Sequence, residues 1–401
     1  MLDAEKLRED FPLLRESKVI YFDNACTTQK PKQVVDAIVE YYTKYAACAG
    51  RSLHKLATKT TEEFEKAREK VAKFINAKKS KEIVWTKNTT EAINLVANSF
   101  KFEKGDKVLT TNLEHSSGLL PWQRLAKKGV ISLDFVLCNK EGELSIEDFE
   151  DKIDEKTKLV SVIFASNVTG TVSPLKEIIK IAHENGALVL ADGAQAAPHF
   201  PVDVRKLDLD FMGFSAHKMV GPTGIGCLYG KEDLLRELSP FILGGETIKD
   251  ADLRSYEPED IPHRLEGGIQ NYAGAIGFGA AVDYLTKIGM KNIEDYEKEL
   301  AKLLIEGLLE VPNLALIGPK DWRKKNALVS FNIKGIEPQD LAIMLDENNI
   351  AVRSGMHCAY PFHKFIGENK GSVRASLYFY NTKEEIGIFI EKLKEIAKTL
   401  G

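Results

Sequence analysis

From about residue 80 to residue 230 the chain alternates short apolar runs, rich in β-branched and aromatic residues, with stretches whose apolar positions recur at helical spacing. The runs at 82–86, 107–111, 131–137, 159–165, 187–192, 211–215 and 226–230 are predicted strands. The stretches at 88–99, 118–128 and 174–185 are predicted helices, with Pro174 placed where a first helical turn tolerates it. Strand and helix in alternation predict an α/β domain around a mostly parallel sheet. After a glycine-rich stretch at 267–280, helices are expected over 273–287 and 291–310. A shorter α/β section follows and closes on a helix at 383–400. The expected division is a large domain over 16–289 and a small one made of 1–15 and 290–401.

Composition changes this picture little. With 401 residues and 44% hydrophobic composition, the chain can bury a core in each domain. The 55 Lys and Arg nearly offset 59 Asp and Glu, and no block of like charge stands out, which argues against a nucleic-acid or membrane-surface binder. No run approaches the roughly 18 apolar residues of a membrane-spanning helix, and the first residues form no apolar leader, so a cytoplasmic location is expected. The five cysteines, Cys26, Cys48, Cys138, Cys227 and Cys358, include no Cys-x-x-Cys pair. Neither a disulfide framework nor a metal site is expected.

Two polar clusters close predicted strands: Ala191-Asp192-Gly193-Ala194-Gln195 and Phe214-Ser215-Ala216-His217-Lys218. In open α/β sheets ligands gather at the carboxyl ends of strands. Pyridoxal 5'-phosphate needs a lysine to carry it, a carboxylate on its ring nitrogen, donors to its phosphate and a flat group over its ring. The chain offers each kind. Lys218 follows an apolar strand and precedes Gly221-Pro222-Thr223-Gly224, a turn where its amine is expected in a partly dry place and its pKa to fall. A surface-loop lysine is the plainer reading, and the company of Ser215, His217 and Asp192 weighs against it. Asp192 suits the ring nitrogen, although an Asp before Gly193 is more commonly a turn former. Asn88-Thr89-Thr90-Glu91 reads as a helix start, whose N–H groups suit a phosphate and which ordinary capping explains equally. His115 follows a strand, where an imidazole can stack on a ring and carry protons, or simply be a polar loop residue.

A further cluster lies late in the chain, in Arg353-Ser354-Gly355-Met356-His357-Cys358, followed by Arg374. A thiol beside His357 and near Arg353 is expected in an electropositive loop that favours thiolate. Two arginines suit a substrate carboxylate, although either alone would ordinarily be a surface ion pair.

Taken together, these motifs resemble the class V aminotransferase branch of fold-type I pyridoxal-phosphate enzymes, and within it the group II (SufS-like) cysteine desulfurases. The resemblance runs from Tyr21-Phe22-Asp23-Asn24-Ala25 to the last helix. The short approach to Cys358, without a long Ser/Ala-rich loop, points to group II. It implies a mostly parallel central sheet with a smaller α/β C-terminal domain, and pyridoxal 5'-phosphate as cofactor. Position by position, it makes Lys218 the cofactor's lysine, Asp192 its ring-nitrogen partner, Gln195 a donor to its phenolic oxygen and His115 the stacked proton carrier. Thr90, Ser215 and His217 would hold the phosphate. Asn167 would face cofactor and substrate, and Arg374, with help from Arg353, would seat the substrate carboxylate. Cys358 would take sulfur from L-cysteine as a persulfide, leaving L-alanine and supplying iron–sulfur cluster assembly. A homodimer and a sulfur-acceptor protein or small thiol are implied as partners. Four positions depart from the pattern: Ser116 and Met356 where relatives commonly have His, Gly50-Arg51-Ser52 for His-Arg-Gly, and Ile269 for a Thr that reaches the neighbouring subunit's phosphate. A selenocysteine lyase or an ordinary class V transaminase would share most of these residues, and a non-catalytic scaffold of the same fold is the remaining alternative.

Overall fold

The computed structural model describes residues 2–400. Seven strands form the large sheet: β1 (Ile83–Thr86), β2 (Lys107–Thr111), β3 (Ser132–Val136), β4 (Thr157–Ile163), β5 (Leu188–Asp192), β6 (Phe211–Ser215) and β7 (Gly226–Gly230). Each overlaps one of the predicted runs, and β4 begins and ends two residues earlier than the predicted 159–165. Their order is β1-β7-β6-β5-β4-β2-β3, and only β7 runs against the rest. The central strands are apolar almost throughout because both faces are covered. On β5, Val189 and Ala191 pack into one core while Leu190 packs into the other. On β6, Phe211 and Met212 divide in the same way, as the two-residue pleat requires.

The intervening helices include α1 (Thr89–Ser99), α2 (Ser116–Lys127) and α3 (Leu175–Glu184). Pro174, expected inside the first turn, is instead the residue before α3, at ψ 61°. It ends the extended approach to the helix without occupying a helical position.

The apolar helix α4 (Tyr272–Ile288) leads through Gly289 into α5 (Met290–Leu308). Beyond it stands a four-stranded antiparallel sheet of β8 (Leu314–Ile317), β9 (Leu328–Ile333), β10 (Arg353–Gly355) and β11 (Ser372–Ser376), in the order β8-β9-β11-β10. Together with α5 and the final helix α6 (Lys383–Leu400) it encloses a separate core that includes Leu300, Leu304, Phe331, Val373 and Phe389. The N-terminal segment alternates between the two cores: Ala4, Ile20 and Phe22 join the small one, and Phe11 and Leu14 the large one. No helix among the described residues is long and apolar enough to cross a membrane.

The large sheet also determines where a site can form. The chain steps outward from β2 to β3 and then returns to the other side of β2 for β4, a reversal that opens a crevice at their carboxyl ends. The segments after β1, β2, β4, β5 and β6 all emerge on that edge.

Candidate active site

Every residue singled out from the sequence as a site residue lines one pocket on this edge. Thr90 follows β1, His115 follows β2, Asn167 follows β4, Asp192 and Gln195 close β5, and Ser215, His217 and Lys218 close β6. Arg353, Cys358 and Arg374 reach the same pocket from the small sheet. The register of β10 against β11 places Arg353 directly opposite Arg374, although they are far apart in sequence.

Lys218 lies at the end of a single 3-10 turn after β6. Burial lowers the pKa of its amine, Asp192 opposes that shift, and Arg374 and Arg353 add to it. The turn is braced from outside: Thr28 N–H and the Thr28 and Thr27 hydroxyls all donate to the His217 carbonyl, at 2.9, 3.0 and 3.1 Å. Asp192 is buried, and burial raises its pKa although the Ala194 N–H donates to its Oδ1 at 3.0 Å. Gln195 donates from Nε2 to the Ala25 carbonyl at 2.7 Å, which leaves one Nε2 hydrogen and Oε1 for a ligand.

His115 caps α2, accepting at Nδ1 from the Ser117 N–H at 3.1 Å. That bond assigns the ring hydrogen to Nε2. Burial, followed by Lys218 and the two arginines, pushes its pKa down to about 4, so the ring is neutral near pH 7. At the start of α1, Asn88 Oδ1 takes the Glu91 N–H at 3.0 Å and Ser215 Oγ takes the Thr89 N–H at 2.8 Å. Thr90 Oγ1 meets Ser117 Oγ at 2.7 Å. These hydroxyls form two hydrogen-bonded groups around the helix start, Ser215 with Thr89 and Thr90 with Ser117.

Arg374 is buried, with Nη1 on the Asn167 carbonyl at 2.9 Å and Nη2 on Asp23 at 3.1 Å. Among the described residues its Nε and the Asn167 Oδ1 have no partner. Arg353 points its Nη1 at Cys26 Sγ, 2.8 Å away, rather than at Cys358. The expected electropositive setting of Cys358 therefore needs correcting at His357. That ring is buried among Ser372 and His363, and its pKa is driven well below the usual imidazole value, so it brings no positive charge to the loop.

The loop is held by its main chain. His357 and Cys358 both have left-handed backbones, at φ 48° and 57°. The His357 carbonyl accepts from Asn167 Nδ2 at 2.7 Å, and the Cys358 carbonyl accepts from both Ser116 N–H (2.7 Å) and Ser116 Oγ (2.8 Å). Ser116, noted above as a departure, is thus a clamp on the cysteine. Ile269 is 67% exposed and lies outside the pocket, in a groove with Gln270 and Lys87.

The sequence profile of the class-V aminotransferases matches residues 20–389. The chain belongs to that family. Among family members, a protein of Synechocystis sp. described as a probable cysteine desulfurase is 46% identical over 98% of this chain and 95% of its own. A probable cysteine desulfurase of Pyrococcus abyssi is 45% identical over 99% and 98%. The apo cysteine desulfurase of Thermococcus onnurineus NA1 superposes with a TM-score of 0.96 at 44% identity, covering 100% of this chain and 99% of that one. The cysteine desulfurase CsdA of Escherichia coli, solved with S-sulfonic acid, gives 0.93 at 34% identity over the full length of both.

Sequence reasoning missed several residues in and around this pocket. Asp23 anchors Arg374, and Cys26 and Ser117 line the pocket. Buried Glu114 accepts from Thr111 Oγ1 at 2.7 Å and Ile163 N–H at 2.9 Å, joining the ends of β2 and β4. Burial raises its pKa to about 8, with the Asp192 charge adding to the shift. The Asp23-Asn24-Ala25 motif was in view as part of the resemblance, but nothing in it marked a partner for Arg374.

Proposed function

We propose that the protein is a pyridoxal 5'-phosphate-dependent cysteine desulfurase that converts L-cysteine to L-alanine and leaves a persulfide on Cys358. One observation carries the reading: Lys218 and Asp192 on the large sheet and Cys358 on the small-sheet loop line the same pocket. The donor set fits the cofactor. A buried carboxylate, a lysine with depressed pKa, a hydroxyl-rimmed helix start and the unpartnered Gln195 Oε1, Asn167 Oδ1 and Arg374 Nε supply each class of contact the group needs.

When bound, the cofactor supplies an electron sink for charge developing at the substrate α-carbon. Asp192 would hold the ring-nitrogen proton, Lys218 Nζ would carry the cofactor and move the α-proton, and neutral His115 would offer its Nε2 hydrogen beside the ring. Gln195 would donate to the phenolic oxygen, and Thr90, Ser215 and His217 would seat the phosphate. Arg374, Asn167 and Arg353 orient the substrate carboxylate. The Cys358 thiolate attacks the substrate sulfur; the C–S bond breaks with its electron pair left on carbon, which takes a proton to give alanine. The sulfur stays on Cys358 until an acceptor protein or small thiol removes it, for iron–sulfur cluster assembly.

The reading takes the unit over 16–289 as the cofactor carrier and 1–15 with 290–401 as the carrier of the cysteine. It also includes a homodimer, with exposed Ile269 turned to the second subunit, in the cytoplasm. Mass spectrometry after one turnover without reductant tests it. One sulfur atom is expected on the Cys358 peptide alone; sulfur on Cys26, Cys48, Cys138 or Cys227 instead would overturn the assignment.

A further inference from the structure

Behind the active site lies a second cavity, of about 510 Å³, walled by α5, by the 171–174 and 199–200 segments and by the approach to β9. It shares no lining residue with the active-site pocket. Asn326 forms part of the partition: its Nδ2 donates to the Gln195 carbonyl at 2.8 Å and its N–H to the Gly170 carbonyl at 2.9 Å.

The charges in this cavity are paired with one exception. Lys324 pairs with Glu143 at 2.6 Å, Lys298 with Glu294 at 2.9 Å and Arg323 with Asp321 at 2.8 Å. Lys325 is only 3% exposed; its N–H donates to the Trp322 carbonyl at 3.4 Å, while its Nζ has no hydrogen-bond or ionic partner among the described residues. Burial pulls its pKa down to about 7, and no neighbouring carboxylate offsets that shift. A second buried group is half satisfied. Glu297, 2% exposed, meets His199 Nδ1 through Oε2 at 2.8 Å, and its Oε1 has no partner among the described residues. A buried amine without an anion and a buried carboxyl oxygen without a donor are each costly to leave unmet.

We infer that this cavity is a second ligand site, for a small carboxylic acid that also carries a hydroxyl or amino donor. Its carboxylate is held by Lys325 and its donor by Glu297 Oε1. The cavity has the size of ordinary small-molecule sites, on the order of 300–1,000 Å³. The inference is independent of the proposed desulfurase chemistry.

Calorimetry on the holoenzyme with L-malate tests it, since malate has no amine to react at the cofactor. One malate per chain is expected, with binding weakened about tenfold or more by Lys325→Met and retained in Arg374→Ala. Succinate, which lacks the hydroxyl, is expected to bind about threefold or more weaker than malate. In the unaltered protein, malate is also expected to slow acetylation of Lys325 by acetic anhydride, a readout that needs no variant to fold. No binding at millimolar malate, binding unchanged in Lys325→Met, loss in Arg374→Ala, equal affinity for succinate, or unprotected Lys325 would each overturn the assignment.

Discussion

On the large-unit side of the active site, Asp192 and Lys218 sit at or just beyond the ends of β5 and β6, and the sheet itself fixes their positions. On the small-unit side, Cys358 hangs from a loop with two consecutive left-handed residues, whose carbonyls are tied to Asn167 and Ser116 of the other unit. The difference separates two tasks. Groups that hold a cofactor gain from rigid, buried strand ends. The thiol proposed to accept sulfur and then release it is half-buried, positioned by a few hydrogen bonds across the crevice.

The sharpest break in this comparison is Lys218→Ala, which removes the one lysine amine lining the pocket among the described residues. Alanine formation is expected to stop, and the cofactor's visible absorbance to be lost on dialysis; retained absorbance with normal turnover would refute the role. Cys358→Ser attacks the other side alone. Cofactor absorbance should persist while alanine release from cysteine falls by roughly a thousandfold, because a hydroxyl is a poor nucleophile toward sulfur. Equal loss of cofactor binding in both variants would show that the two sides are not separable.

Glu114 sharpens the large-unit side. Its folded-state pKa of about 8 lies above the ordinary 4.5, so the folded protein keeps a proton that the unfolded chain gives up between those values. That contribution is therefore fully present below about pH 4.5 and is lost as pH rises toward 8. Glu114→Gln, which keeps the oxygen acceptor, should gain stability over the wild type by on the order of 5 kcal/mol across that window, read from urea midpoints. A pH-independent difference would place the carboxyl in its ionised form. The smallest expected effect is Ser116→Ala, which deletes the hydroxyl bond to the Cys358 carbonyl and keeps the N–H bond. At about 1 kcal/mol, Cys358 alkylation by iodoacetamide should change severalfold with cofactor absorbance unaltered.

Much of this was legible in the sequence because it is local. The first six strands of the large sheet alternate with helices, and Asp192, Gln195, Ser215 and Lys218 stand where strands stop. What stayed hidden depends on contacts between distant segments. Asp23, brought beside β11 by its bridge to Ser376, meets Arg374, and Ser116 reaches Cys358 from α2; neither pairing leaves a periodic trace. His357 failed as a source of positive charge for a related reason. A histidine next to a cysteine in sequence can point anywhere, and here the left-handed turn sends its ring into the small unit, against Ser372.

The clamp on the Cys358 carbonyl also limits where sulfur can travel. With that carbonyl pinned, Sγ swings among three staggered stations around the Cα–Cβ bond, and the outer sulfur of the proposed persulfide adds only rotation about Cβ–Sγ. Such a sulfur cannot be ferried outward. Under the proposed reading, a recipient inserts its own nucleophile into a half-buried mouth, so recipients would be sorted by the slenderness and reach of the tip they present.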